Sequence, residues 1–273
     1  MKDDLQVILD NLPSMSPNVE KLLDTFKQDF TEPEVLETLL IACPVIAGRV
    51  LQISNSSFYG LSRQINSLRE ATIILGQHTL RGLIYSLAVI ENFKESRNPT
   101  SFSYENVWLH SLYSACLVRV ISDEKKLDSS SLFTAALFQH FGLLVYEAGT
   151  NESIQDALDL SNQKGISLQK SIIEVSGIDY MELSSRALHY WNFPDNVCVL
   201  LETMDKENKG LEMALFSLAN TVASAFYKSY LSIGVAPINE VDLDNIFPNQ
   251  DIANDYLSKA DTLYIQMAKD FLG

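Results

Sequence analysis

Helix-start signals recur along this chain, whereas stretches that alternate apolar and polar residues as a half-buried strand does are scarce. Ser16 followed by Pro17 reads as an N-cap with proline at the first helical position, and Val19, Leu22, Leu23 and Phe26 then fall on one face. Thr31 to Glu34 and Ser67 to Glu70 have the form of capping boxes, in which side chains satisfy backbone N–H groups that the first helical turn leaves orphaned. Pro44 opens a further helix carrying Val45, Ile46, Arg49, Val50 and Ile53, which a polar turn from Ser54 to Gly60 closes. Asp179 to Glu182 and Pro194 mark two later starts. The expected fold class is all-α.

The length of 273 residues suits one large domain or two modest ones. The polar, proline-containing stretch from Glu95 to Ser101 lies between two helical patterns and reads as a linker. It divides the chain into an N-terminal helical subdomain, residues 1–98, and a larger helical subdomain with a C-terminal helix, residues 99–273. An apolar helix is expected over 77–93, packing against both halves, and an exposed loop over 123–130. A long irregular connection is expected over 232–250, before a last helix at about 251–271. No internal repeat or low-complexity tract is evident.

Composition excludes several classes. No apolar run approaches the roughly 18–20 residues of a membrane span; residues 83–90 come nearest and contain Tyr85 and Ser86. The start of the chain lacks the basic-then-apolar pattern of a signal peptide, so a cytoplasmic protein without membrane partners is expected. Cys43, Cys116 and Cys198 form no C-x-x-C unit and read as small buried hydrophobes in a reducing compartment. The formal charge of −15, with Lys125-Lys126 the densest basic pair, argues against nucleic-acid binding.

The stretch from Leu132 to Val145 reads as one buried helix that presents a single histidine, His140, to the interior. The residue after it is Phe141, which has no lone pair for a metal and no proton to exchange. No Gly-rich phosphate loop and no G-x-S-x-G serine is present. Asn55, with Ser56, Ser57 and Gly60, suits a tight turn whose side chains bond to backbone, with Phe58 and Tyr59 plugging the core; a ligand or partner contact at Asn55 is the alternative. Gly76 is placed to end or kink the helix that Ser67 caps. His189 reads as a packing residue beside a core Trp191, and His78 as a surface residue.

Leu12 to Pro17, Leu51 to Gly60 and Ile65 to Gly76, followed by Trp108 to His110, Phe133 to Gly142 and Ala187 to Pro194, resemble the HDOD domain, over roughly residues 10–225. The HDOD domain is a bacterial signalling module distantly related to HD-type metal phosphohydrolases. The resemblance implies an all-helical protein with an N-terminal bundle packed on an HD-like bundle, and a regulatory role.

HD-type hydrolases hold their metal with a histidine, an adjacent His-Asp pair and a later aspartate. The matching positions here are His110, His140-Phe141 and Asn220. Both carboxylates are missing, and neutral imidazoles with an amide hold hard cations poorly. Related phosphodiesterases of cyclic dinucleotides use further histidines, where this chain has Tyr180 and the stretch Glu202 to Asp205. His110 and His140 are expected to be buried and hydrogen-bonded to each other or to backbone.

The leading expectation is a non-catalytic signal-transduction module. It would work through contacts with other signalling proteins in trans, or by binding a small ligand in a degenerate HD site, with no cofactor. The alternative is a metal-dependent phosphohydrolase acting on a nucleotide or cyclic dinucleotide, in which His110, His140 and a carboxylate such as Asp179 hold Mn, Fe, Ni or Mg. A third reading, a sensor that binds a nucleotide without hydrolysis, would draw on Arg49, Arg63, Arg69 and Arg81, which otherwise read as solvated or paired residues.

Overall fold

The computed structural model describes residues 7–8, 17–25, 31–55, 64–77, 80, 83–84, 87, 104–150, 154–190, 195–203, 210–227 and 246–272. Among the described residues every regular element is helical. The chain divides into two compact units, one of Met1–Leu12, Pro99–Tyr190 and Asp195–Thr262, the other of Pro13–Asn98, Trp191–Pro194 and Leu263–Gly273.

The smaller unit contains α1 (Pro17–Thr25), α2 (Pro33–Ile41), α3 (Pro44–Ser54) and α4 (Leu68–Leu75). Helix α2 packs on the other three, burying Leu22, Leu36, Leu40, Ile46, Val50, Ile53 and Ala71. Pro33 and Pro44 stand in the first helical turn, where a missing N–H is not needed. The capping box expected at Thr31 does not form. Proline keeps the residue before it out of the helical region, so Glu32, at φ −59 and ψ 137, becomes the N-cap without a side-chain bond. The Thr31 hydroxyl donates instead to the Thr25 carbonyl, 3.1 Å away. Ser67 does cap α4, its oxygen accepting from the Glu70 N–H at 3.1 Å, and Gly76 ends that helix at φ 72. Of the helix expected over 77–93, residues 77, 80, 83, 84 and 87 are helical and the remainder lies outside the described residues, as do Ser16, Phe26, residues 56–63, His78 and residues 95–101.

Asn55 follows α3 and fastens its end. Its Nδ2 donates to the carbonyls of Leu51 (2.9 Å) and Ile65 (2.8 Å), and its Oδ1 accepts from the Ile65 N–H at 2.6 Å. The amide donor is thereby committed to backbone on both sides, four residues before Asn55 and ten after it, the role read from the polar turn.

The larger unit holds α5 (Tyr104–Lys125), α6 (Ser129–Phe138), α7 (Phe141–Gly149), α8 (Ile154–Lys164), α9 (Leu168–Ser176), α10 (Tyr180–Tyr190), α11 (Asp195–Thr203) and α12 (Leu211–Tyr227). Helix α5 packs against α6 and α12, α6 against α11, and α10 against α7, α9 and α11; α8 pairs with α9. Leu112, Leu117, Ile121, Leu143, Tyr146, Leu183 and Leu215 are fully buried, each such side chain contributing about 1.5–3 kcal/mol of apolar burial. The loop expected over 123–130 is much shorter. Helix α5 runs through Lys125, Arg119 pairs with Asp123 one turn on, and Lys126 turns the chain in the left-handed region at φ 59 before Asp128 caps α6.

The last helix, α13 (Gln250–Leu272), starts close to the expected position. Within the larger unit Tyr256 and Ala260 are buried, the Tyr113 hydroxyl donates to Asp261 Oδ1 at 2.7 Å, and Lys259 pairs with Glu124 at 3.1 Å. No described helix is long and apolar enough to cross a membrane.

Candidate functional site

The apolar run from Leu132 to Val145 is two helices rather than one. Helix α6 ends at Phe138, Gln139 and His140 form a turn, and α7 begins at Phe141 with His140 as its N-cap, at φ −98 and ψ 10. The break has a tertiary cause. The Ser184 hydroxyl on α10 accepts from the Gly142 N–H at 2.6 Å and lies 2.9 Å from the Gln139 carbonyl, so one side chain serves both backbone ends that the break exposes. Gly142 lies so close to α10 that a Cβ there would meet the Tyr180 carbonyl oxygen at 1.8 Å. A propensity reading of residues 132–145 has no access to that contact.

The break turns His140 inward. His110 comes from α5, Tyr180 opens α10, and Asn220 and Ser224 stand one turn apart on α12. Because α5 packs on α12 and α7 on α10, these positions converge, with His110, Gln139, His140, Tyr180 and Asn220 all buried. The two imidazoles lie 5.0 Å apart between ring centroids, tilted by 59°. Tyr180 OH lies 3.3 Å from His140 Nδ1, His110 Nε2 lies 3.1 Å from Ser224 Oγ, and Asn220 Nδ2 donates to Gln139 Oε1 at 2.6 Å. The histidines thus lie against each other, and His110 bonds to backbone, at Asn220, as well as to a side chain. Gln139, Ser184 and Ser224 were not anticipated; their sequence signals were adjacency to His140 and a one-turn spacing from Tyr180 and Asn220.

Burial holds both imidazoles neutral. It lowers His110 to about 4, opposed by the Asn220 backbone. His140 lies well below its ordinary value, first through burial and then through the neighbouring His110, with the Asn220 side chain acting in the opposite sense. Phe141 is buried, with its ring edge-on to Phe138 at 5.9 Å, and Phe138 is in turn edge-on to Trp108 at 6.3 Å.

Asp179 works as a helix cap. Its Oδ1 accepts from the Met181 N–H at 2.9 Å, and both its oxygens accept from Gln169 Nε2 at 3.1 Å. His189 is exposed rather than packed in the core: α10 ends there, and the ring lies 3.3 Å from Glu202, whose Oε1 also accepts from the Ser185 hydroxyl. Trp191 and Asp205 lie outside the described residues. Arg69 pairs with Glu34 and Arg49 donates to Gln52, whereas Arg63 and Arg81 also lie outside the described residues. Cys43, Cys116 and Cys198 are buried and not joined in disulfides, and burial pushes Cys198 up to about 12.

The family model of the HDOD domain matches residues 12–206. The chain belongs to the HDOD family. Among solved structures, an HDOD domain protein of unknown function from Geobacter sulfurreducens superposes with a TM-score of 0.66 at 16% identity, over 100% of this chain and 99% of its own. A protein from Shewanella amazonensis SB2B, named as a candidate phosphohydrolase, gives 0.69 at 17% identity, over 98% and 97%. One from Marinobacter aquaeolei VT8, named as a candidate signal transduction protein, gives 0.64 at 15% identity, over 98% of this chain and 65% of its own. At such identities the likeness speaks for the fold. No curated protein matches the chain.

The HD-type resemblance of an HDOD domain raises the question of a divalent metal, and the donors at this centre do not fit one. They are two imidazoles, two amides and a phenol, with no carboxylate among them to neutralise a hard dication. Asp179, the carboxylate next to Tyr180, is engaged with Gln169 and the start of α10. Among the described residues no group of three or more His, Cys, Asp or Glu side chains is placed to hold a metal ion.

Proposed function

We propose that this HDOD chain is a non-catalytic, cytoplasmic signalling module that acts by contacting other signalling proteins. The observation that supports this most is Phe141, which occupies the position of a metal carboxylate in the HD-type resemblance and is packed against Phe138 in the core. A hydrolytic centre needs a polarised water or hydroxide held by a metal, and neutral donors without a carboxylate supply no negative charge for the metal. What remains chemically competent at the centre is hydrogen bonding, which fixes the ends of α6, α7 and α10. Neighbours of the same fold are named both as candidate phosphohydrolases and as a candidate signal transduction protein. The donor set favours the second kind of role.

The test is a turnover assay on purified protein. Nucleotide and cyclic-dinucleotide phosphodiesters are supplied with Mn²⁺, Fe²⁺, Ni²⁺ or Mg²⁺, alongside melting curves of chelator-treated protein with and without each ion. No turnover and no metal-dependent rise in melting temperature are expected. Metal-dependent hydrolysis that disappears in a folded His140→Ala variant would establish the phosphohydrolase instead.

A further inference from the structure

The outward face of α2 inverts the usual pattern of a surface helix. Its exposed residues are Glu34, Val35, Thr38, Ile41 and, at the C-cap, Ala42. They are spaced i, i+1, i+4, i+7 and i+8, which places them on one face, while Leu36 and Leu40 turn into the core. An outward face is ordinarily polar, yet of these five only Glu34 is charged. The Thr38 hydroxyl adds little, because it donates to the Glu34 carbonyl at 2.9 Å. Val35 is 46% exposed and Ile41 62%. Helix α4, which packs on α2, adds Ile73 at 61%. Arg69, one turn before Ile73 on α4, pairs with Glu34, so the edge of α4 that carries Ile73 borders the outward face of α2. Single exposed hydrophobes are ordinary, but three on adjoining faces of two packed helices form the kind of patch that marks an interaction surface.

Charge decides what fits it. Residues 31–42 and 67–77 carry four carboxylates, Glu32, Glu34, Glu37 and Glu70, against one cation, Arg69, which is spent on Glu34. A second copy of the chain would set carboxylate against carboxylate, within a molecule whose formal charge is −15. An anionic membrane surface is repelled in the same way. A segment with an apolar stripe and lysine or arginine beside it matches both features. An amphipathic helix presents that combination with its own backbone already hydrogen-bonded.

We infer that Val35, Ile41 and Ile73 form a docking surface for a basic amphipathic helix of a partner protein, the neighbouring carboxylates supplying the opposite charge. This deepens the reading of the chain as a module that contacts signalling proteins, and rests on it.

Isothermal titration of the full chain with a synthetic leucine–lysine amphipathic helix tests this, with a leucine–glutamate helix of the same apolar stripe as comparator. The lysine helix should bind, more weakly as salt rises, and the glutamate helix should not. No binding of the lysine helix, or preference for the glutamate one, overturns the inference. Ile41→Glu and Ile73→Glu should each weaken binding by about tenfold or more. Both changes add negative charge, so attraction by net charge alone would strengthen binding; unchanged or tighter binding overturns the inference. Ile173→Glu, at an exposed position of α9 in the larger unit, makes the same chemical change and should bind as the wild type does. An equal loss there overturns the assignment to α2 and α4. All three positions are exposed, so the variants should melt close to the wild type. Sedimentation of the free chain addresses the other occupant: a dimer that Ile41→Glu dissociates would make the patch a self-interface and overturn the basic partner. Metal-dependent turnover would sink the signalling reading without altering these titrations, and a failed titration leaves the non-catalytic reading standing.

Discussion

Gly142→Ala should be among the most damaging single-methyl changes in this protein. The added Cβ would lie 1.8 Å from the Tyr180 carbonyl oxygen, 2.7 Å from the Ser184 nitrogen and 2.8 Å from the Ser184 hydroxyl. Two of these atoms are backbone, so no rotamer change clears the clash and α7 must move off α10. Such overpacking costs about 1–3 kcal/mol. The movement also strains the Gly142 N–H bond to Ser184, and a buried donor left unmade costs about 1–3 kcal/mol more. Alanine's helix preference over glycine returns about 1 kcal/mol. The balance is a loss of about 1–5 kcal/mol, which for a domain of this size lowers the melting temperature by roughly 2–20 °C. Urea titration followed by circular dichroism measures it, with Gly48→Ala as the matched control. Nothing lies within 4 Å of a Cβ at Gly48, so the control should be neutral or slightly stabilising. If Gly142→Ala unfolds at the wild-type midpoint or above it, the account of the α6–α7 break is wrong.

Three further outcomes are expected. Because burial lowers His110 from 6.5 to about 4, the unfolded chain takes up protons before the folded one as pH falls. Stability from this group is therefore complete above pH 6.5 and declines toward pH 4, by about 3 kcal/mol, and His110→Gln should flatten urea midpoints across that window. Asn55→Asp should cost about 2–3 kcal/mol at neutral pH, more than Asn55→Ala, because an oxygen then faces the Leu51 and Ile65 carbonyls where Nδ2 donates; a thermal melt of each decides, and unchanged stability would return Asn55 to the ligand contacts. Ser67→Ala should cost about 1 kcal/mol through loss of the α4 cap, read by the same melts, and Thr31→Val much less, since Thr31 is not the cap of α2.

The helix starts were legible because their causes are local. Pro44, Ser67 and Asp179 act on backbone groups within a few residues, as Gly76 does at a helix end, and each stands where its chemistry placed it. Thr31 misled because two local rules competed there, and the restriction proline places on Glu32 overrode the capping preference of threonine. The charged run at 123–125 looked like loop because charge marks exposure as well as irregularity. That run is helical through Lys125, with Asp123 and Glu124 paired to Arg119 and Lys259 on its exposed side. The break at Gln139 left no trace in periodicity, since the residues that make it, Ser184 and the start of α10, lie about forty positions away. Likewise the grouping of His110, His140, Tyr180 and Asn220 came from family resemblance; spacing alone linked none of them. Their actual partners, Gln139 and Ser224, became visible only once α12 was laid against α5.

On the proposed reading, the centre of the larger unit keeps a helical frame without the chemistry of a metal site. A metal ion ties helix ends together by drawing lone pairs from several elements to one point, and removing its carboxylates leaves polar groups stranded in the interior. Here the same elements are joined by other means. Phe141 joins the aromatic stack with Phe138, the Asn220 amide bonds to Gln139, Tyr180 reaches His140, and Ser184 bridges the break. Each of these groups is neutral, so none needs a cation to offset it, and the burial that would penalise a charged ligand set here keeps two histidines unprotonated. Each histidine is hydrogen-bonded to a different helix, His110 to Ser224 on α12 and His140 to Tyr180 on α10, so removing either one breaks a buried bond. His140→Ala should therefore lower stability with no metal present at all, which separates a structural histidine from a ligand whose loss is felt only when the ion is added.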